Sequence, residues 1–255
     1  MIADESLPDE RKEYIKAKLK SAGKVIAADL CQELAVSIHT IRRDLAELAE
    51  GGLCKRVYGG ALSLVTHTQM FTERTTLATD RKRALAIASQ ALVQKGQCLF
   101  IDAGSTNLAI ANELCPELEL TVVTNSPLIA AALMERRNFK VINLGGVINK
   151  DVGGVVGVSA LTQIKDFTFD LVFLGACAID PGQGLTAVDF EDATFKRLVS
   201  SRASQVAVAL LSEKINSVAP FKVSEIEQVD VLILEKNAPS SSIADFSKRC
   251  SLLFG

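Results

Sequence analysis

Apolar residues recur along this chain with two rhythms. Up to about Glu50 they return every three or four positions, as on helices. Beyond Arg81 they collect in short blocks of strand length separated by helical stretches. Around residue 40, steps of about 100° per residue place Ile38, Ile41, Leu45 and Leu48 on one stripe, which predicts a buried side. His39, Arg43 and Glu47 then point away from it, Thr40 and Ala46 lie beside them, and Arg42 falls at the flank. The preceding segment, Val25 to Leu34, reads as another short helix with Leu30 and Leu34 inward. Ala35-Val36-Ser37 is the turn between the two, and Ser37 is placed to cap the second helix. Past Gly51-Gly52, the run Leu53 to Tyr58 alternates as a strand and Gly59-Gly60 closes it. The pattern is a helix-turn-helix followed by a wing. A dry-backed helix with His, Thr and Arg in front fits a DNA major groove, where arginine pairs with guanine edges. The DNA-facing candidates are Ser37, His39, Thr40, Arg42 and Arg43, with Lys55 and Arg56 of the wing set for phosphates. Arg42 suits a phosphate or an ion pair better than a base. An ordinary three-helix unit with a solvated arginine pair is the plainer alternative.

In the second rhythm the expected strands are Cys98–Asp102, Leu120–Thr124, Lys140–Leu144, Leu171–Leu174, Val206–Leu211 and Val231–Leu234. The expected helices are Lys82–Val93, Thr106–Leu114, Pro127–Arg136, Phe190–Ser204 and Ser242–Lys248. Short, almost wholly apolar strands alternating with helices predict a parallel sheet covered on both faces, with ligands at the carboxyl ends of its strands. There, Asp102-Ala103-Gly104-Ser105-Thr106 turns from a strand into a helix start, which suits an anion such as phosphate. Thr124-Asn125-Ser126, Leu144-Gly145-Gly146 and Leu174-Gly175-Ala176 repeat the logic after other strands. Each turn alone is a weak signal, since such turns more often serve purely as helix caps; four on one rim predict a pocket. These boundaries give a DNA-binding unit over residues 1–61, a connector over 62–80 and an α/β unit over 81–255.

Composition narrows the class. Of 255 residues, 48% are apolar and 23% charged, as in an ordinary globular protein, and the net charge is −2. Basic residues nevertheless crowd the start: Arg11, Lys12, Lys16, Lys18, Lys20, Lys24, Arg42 and Arg43, against Glu13, Asp29 and Glu33. A locally basic end on an acidic body suits DNA contact through one small domain. The cysteines at 31, 54, 98, 115, 177 and 250 lack paired spacing, so core thiols are expected and no metal site. The polar, acidic opening predicts no secretory leader, and no run reaches the roughly 18 apolar residues of a membrane span. A cytoplasmic protein is expected.

The string Val36-Ser37, Thr40 to Leu45, Leu48, Gly52-Leu53, Arg56-Val57 and Gly59-Gly60-Ala61 resembles the DNA-binding end of DeoR-type transcriptional regulators. Tyr58 stands where that pattern usually has histidine. Phe71 and Arg74 resemble the family's Phe-x-x-Arg element, and both are expected to dock on the larger unit. Further on, Asp102-x-Gly104-Ser105-Thr106, Val123 to Ser126, Leu144-Gly145-Gly146, Phe173-x-Gly175-Ala176, Gly184-Leu185-Thr186 and Ala193-x-x-Lys196-Arg197 resemble the family's sensor domain. The resemblance implies a fold like ribose-5-phosphate isomerase and coenzyme A transferases, and a phosphorylated sugar as effector. It places Asp102, Gly104, Ser105, Thr106, Asn125, Gly145, Gly146, Lys196 and Lys214 in the effector site, with Lys196 as the phosphate's cation. A solvated helix lysine is the competing reading of Lys196. Two departures stand out: Asp192 replaces a glutamate, and Leu211-Ser212-Glu213-Lys214 replaces Asp-Ser-Ser-Lys, losing the acidic partner of Lys214.

These features imply an oligomeric regulator, a repressor of a sugar-metabolism operon, with double-stranded operator DNA and a sugar phosphate as partners and without cofactor or catalytic residues. An activator role stays open. An isomerase-like or coenzyme A transferase-like enzyme with an appended DNA-binding end is the alternative, and carboxylates at Asp102, Asp180, Asp189, Glu191 and Asp192 keep it open by count. The histidines, His39 and His67, lie outside any nucleophile arrangement. An architectural DNA binder without an effector is a third reading, disfavoured by the four converging turns.

Overall fold

The computed structural model describes residues 7–66 and 69–255; residues 1–6 of the polar, acidic opening on which the reading of no secretory leader rests, and His67 and Thr68 of the connector, lie outside them. The N-terminal unit runs α1 (Pro8–Ala22), β1 (Lys24–Ile26), α2 (Ala27–Leu34), α3 (Ile38–Glu50), β2 (Cys54–Val57) and β3 (Gly60–Leu64). Pro8 suits the first helical turn, where its missing N–H would have no partner. Gly23 ends α1 at φ +74, and a Cβ there would sit 2.5 Å from the Ile215 carbonyl oxygen. Ile15, Leu19, Leu30, Leu34, Ile41, Leu45 and Leu48 form one apolar core. Ile38, expected on the buried stripe, is half-buried at its edge.

The segment read as a helix from Val25 begins as β1 instead. Lys24–Ile26 pairs antiparallel with Leu62–Gly60, and the helix starts only at Ala27. Two β-branched residues side by side favour the strand once a partner strand is present. The wing is the hairpin β2–β3, turned at Tyr58 and Gly59, the latter at φ +82.

The connector is structured as well. β3 continues to Leu64 and is followed by α4 (Phe71–Thr76) and α5 (Thr79–Ser89). The larger unit then runs β4 (Cys98–Ile101), α6 (Ser105–Glu113), β5 (Leu120–Thr124), α7 (Pro127–Leu133), β6 (Phe139–Asn143), β7 (Ile148–Asn149), β8 (Gly154–Val155), α8 (Val158–Ile164), β9 (Leu171–Leu174), β10 (Ala178–Asp180), β11 (Gly184–Ala187), α9 (Phe190–Ser200), β12 (Val206–Ala209), β13 (Ser217–Val218), β14 (Phe221–Ser224), β15 (Val231–Leu234), α10 (Ser240–Phe246) and β16 (Ser251–Phe254).

Seven strands form a parallel sheet in the order β16-β15-β12-β9-β4-β5-β6. Its two faces bury separate apolar layers. Phe100, Val172, Val208 and Leu232 pack on one side with Ile164, Phe195, Val199 and Phe246. Leu99, Ile101, Phe173 and Ile233 pack on the other with Leu85, Ile110 and Ile129. Double-sided burial is why these strands read as unbroken apolar runs. The edge strand β16, the short strands β7, β8, β10, β11, β13 and β14, and α8 are not among the expected elements.

β13 leaves the larger unit to pair in parallel with β3, Ser217 opposite Ser63 and Val218 opposite Leu64. Val65 N–H donates to the Val218 carbonyl at 2.7 Å, so the wing sheet is completed by the larger unit. All six cysteines are free: Cys54 is buried, Cys115 is exposed, and the other four are half-buried. The expectation of core thiols therefore holds in full only for Cys54. No helix among the described residues is long and apolar enough to cross a membrane.

Candidate functional site

On the N-terminal unit, Ala35 takes φ +52 in the turn, and the Ser37 hydroxyl accepts the Thr40 N–H at 3.1 Å. The Ser37 and Thr40 hydroxyls also lie 2.9 Å apart, so both belong to the cap of α3. His39, Arg42 and Arg43 are exposed along α3, and Lys55 and Arg56 are exposed on β2. Arg43 Nε lies 3.9 Å from Glu47 Oε1 one turn on, a loose pairing in water. Lys55, expected at a phosphate, donates to Gln183 Oε1 of the larger unit at 2.9 Å.

Much of the early basic cluster is neutralised within the fold. Arg11 is buried against Asp44, Lys12 meets Asp9 and Glu47, Lys16 meets Glu13, and Lys18 meets Glu33. Asp44 and Glu47 of α3 supply counter-charges that a count over the first helices overlooks. Of that cluster, Arg42 and Arg43 stay exposed on α3 and Lys20 on α1.

In the larger unit a cavity of about 220 Å³ opens where β4, β9 and β12 end, between the first turn of α6, the β7–β8 loop and α9. Gly104, Ser105 and Thr106 line it as expected, and Gly104 leaves the start of α6 without a side-chain cap. Lys196 and Lys214 also line it.

Lys196, expected as the phosphate's cation, is engaged by carboxylates within the fold. It is buried, its ammonium lies 3.2 Å from Asp102 Oδ2, and it hydrogen-bonds Asp192 one turn back. Burial alone would lower this ammonium, yet Asp102 and Asp192 hold it above the ordinary lysine range. Burial pushes the Asp192 carboxyl up, and the Asp102 charge adds to this against the pull of Lys196. One ammonium between two carboxylates is no free cation for a phosphate. Asp102 Oδ2 also accepts the Gly175 N–H at 2.8 Å, while its buried Oδ1 has no hydrogen-bond partner among the described residues.

Asn125, Gly145 and Gly146 lie off the cavity. Asn125 is wholly buried, accepting Ala103 N–H at 2.9 Å and donating to the Val155 carbonyl at 3.1 Å, so it braces two loops. Gly145 is exposed and donates to Gln163 Oε1 at 3.0 Å. Gly146 packs so closely that a Cβ would lie 2.7 Å from Val155 Cγ1. Leu211, the departure from the family pattern, is buried in the apolar layer with Leu85 and Ile233.

The sequence reading missed several cavity residues. Arg74 docks as expected, donating to the Asp151 carbonyl at 2.7 Å, but it also lines the cavity, as do Asn149, Cys177 and Asp189. Asp189 accepts Asp192 N–H at 2.8 Å as the cap of α9, a capping signal legible in the sequence. Nothing in the sequence marks Cys177.

A DeoR-like helix-turn-helix domain model matches residues 11–67, and the DeoR C terminal sensor domain model matches residues 77–236. The chain belongs to the DeoR family. This DeoR protein is a transcriptional regulator with an N-terminal DNA-binding module and a sensor domain. It is 30% identical to a putative aga operon transcriptional repressor of Escherichia coli O157:H7, over 94% of this chain and 90% of that one. It is 31% identical to the glycerol-3-phosphate regulon repressor of Escherichia coli K12, over 88% of this chain and 89% of that one. A ribose 5-phosphate isomerase from Methanocaldococcus jannaschii matches 54% of each chain at 18% identity and a TM-score of 0.40, too slight a likeness to carry a ligand across.

Proposed function

We propose that this regulator is a cytoplasmic repressor of a sugar-metabolism operon whose grip on its operator weakens when a phosphorylated sugar enters the cavity. One observation carries the reading: the cavity joins the uncapped start of α6 to cationic and carboxylate side chains. Phosphate oxygens suit the helix N–H groups and cations, and sugar hydroxyls suit Asp189 and Asn149. The names of the two E. coli relatives, one a glycerol-3-phosphate regulon repressor, point the same way. In this reading residues 1–61 bind DNA, residues 62–80 connect, and residues 81–255 sense. The protein acts as a homo-oligomer on paired half-sites. His39, Arg42, Arg43 and Arg56 meet DNA, with Ser37 and Thr40 shaping the helix start. The chain catalyses no reaction in this scheme. Of the three carboxylates that line its cavity, Asp192 is engaged by Lys196, Asp189 caps α9, and Asp151 is exposed at the rim.

Fluorescence anisotropy of labelled DNA from upstream of the protein's own transcription unit tests this, with and without a panel of sugar phosphates. Specific binding released by one panel member is expected. Specific binding that no member alters would reject the effector class.

A further inference from the structure

We propose that the β10–β11 turn is an autoinhibitory contact on the wing, in which Gln183 draws the Lys55 ammonium away from the DNA backbone. The proposal rests on residues 1–61 binding DNA, and it returns Lys55 to the phosphate contacts once that hold is released.

Lys55 of β2 stands opposite Leu62 of β3, and Lys24 of β1 stands opposite Leu62 on the other side. The three side chains therefore share one face of the wing sheet. Their neighbours Val25, Cys54 and Ala61 point the other way, into the apolar core of the N-terminal unit. Leu62 is nevertheless buried, because the larger unit covers its face. Lys24 there forms a cleft with Asp180, Pro181 and Gly182 of the β10–β11 turn. Lys55 donates to Gln183 Oε1 of the same turn at 2.9 Å.

The turn is built to hold that position. Asp180 Oδ1 accepts the N–H groups of Gly182 at 2.9 Å and Gln183 at 3.0 Å, which fixes the backbone that carries Gln183. Gly184 follows at φ +76, where a Cβ would lie 2.0 Å from the Ser224 carbonyl oxygen. Below the turn, Ala178, Ile179, Leu185 and Ala187 are wholly buried. Ala219 N–H donates to Thr186 Oγ1 at 2.8 Å, which ties the hairpin to the chain leaving β13. A hairpin braced in this way moves as one body. Its two roots, Ala176-Cys177 and Val188-Asp189, line the cavity, so a single element joins the cavity walls to the wing.

A side-chain amide is a neutral acceptor, whereas a phosphate oxygen carries charge and accepts more strongly. DNA therefore takes Lys55 from Gln183, and the contact in the free protein lowers affinity without abolishing it. Phosphates are alike in every duplex, so the loss falls on all sequences equally. Arg56, one residue on, points to the opposite face of the strand and is outside this hold.

Anisotropy of a labelled duplex of arbitrary sequence, titrated with the full chain over a sodium chloride series, tests this. Gln183→Ala should tighten binding by about fivefold, the scale of one net hydrogen bond, since it removes a contact made only by the free protein. Lys55→Met should weaken binding and lower the salt slope by about 0.9, the share of one phosphate. In the Lys55→Met background, Gln183→Ala should change nothing. Gln183→Glu gives the ammonium a charged acceptor and should weaken binding, by less when Lys55 is absent. Equal affinity of Gln183→Ala and wild type would overturn the hold, as would a gain that persists without Lys55. An unchanged slope in Lys55→Met would overturn the phosphate contact. A wild-type chain that binds no duplex even in low salt would reject DNA binding by residues 1–61, and this proposal would fall with it.

Discussion

Arg11 and Asp44 form a two-pronged ion pair between α1 and the inner side of α3, with Nε to Oδ2 at 2.5 Å and Nη2 to Oδ1 at 3.0 Å. Both side chains are buried, so the carboxylate on the recognition helix faces the protein and not the DNA. Breaking one partner of such a pair strands the other charge, which costs about 3–5 kcal/mol. Arg11→Met should lose roughly that much in urea denaturation, and adding Asp44→Leu should recover part of it. Equal stability of Arg11→Met and wild type would deny the pair its role in holding α3.

Arg43 and Arg42 should separate in their effects on DNA. Arg43→Ala should weaken binding to the operator by about 1–3 kcal/mol while leaving non-specific affinity nearly unchanged. Arg42→Ala should weaken binding to all sequences alike and lower the salt slope by about one. Anisotropy titrations over a salt series distinguish the two. Unchanged operator affinity in Arg43→Ala would remove α3 from the groove.

Lys196 should prove a structural cation. Lys196→Met leaves Asp102 and Asp192 facing each other in a buried site and should cost about 3–5 kcal/mol in chemical denaturation. Asp192→Asn in that background should restore part of the loss. A Lys196→Met protein as stable as wild type, yet insensitive to effector, would return Lys196 to the ligand's first contacts.

Acid should loosen the seam beside α5. The Arg81 guanidinium, on Glu235 Oε1 at 2.6 Å, leads the effects that hold the Glu235 carboxyl down from an ordinary 4.5 to about 2. A carboxyl lowered by folding contributes stability that is present above about 4.5 and lost as pH falls toward about 2. Stability measured across that window should therefore decline with acid, and Glu235→Gln should flatten the decline. A slope identical in the two proteins would show that the pair contributes nothing.

Local signals in the sequence determined the helix-turn-helix and the strand-helix alternation. A capping serine, an apolar stripe of period 3.6 and blocks buried on both faces each act within a dozen residues. Strands β5, β9 and β15 accordingly fall where their apolar runs do. What the sequence left open depends on partners far along the chain. Val25 and Ile26 become a strand because β3 is there to pair with them, and β13 exists because β3 offers its other edge. Charge followed the same rule. Lys196 reads as a free cation until the fold brings Asp102 against it, and Arg74 reads as a docking residue until the β7–β8 loop sets it on the cavity wall. A side chain's type is a local property. Its effective charge is set by which groups share its desolvated surroundings, and only the tertiary structure decided that.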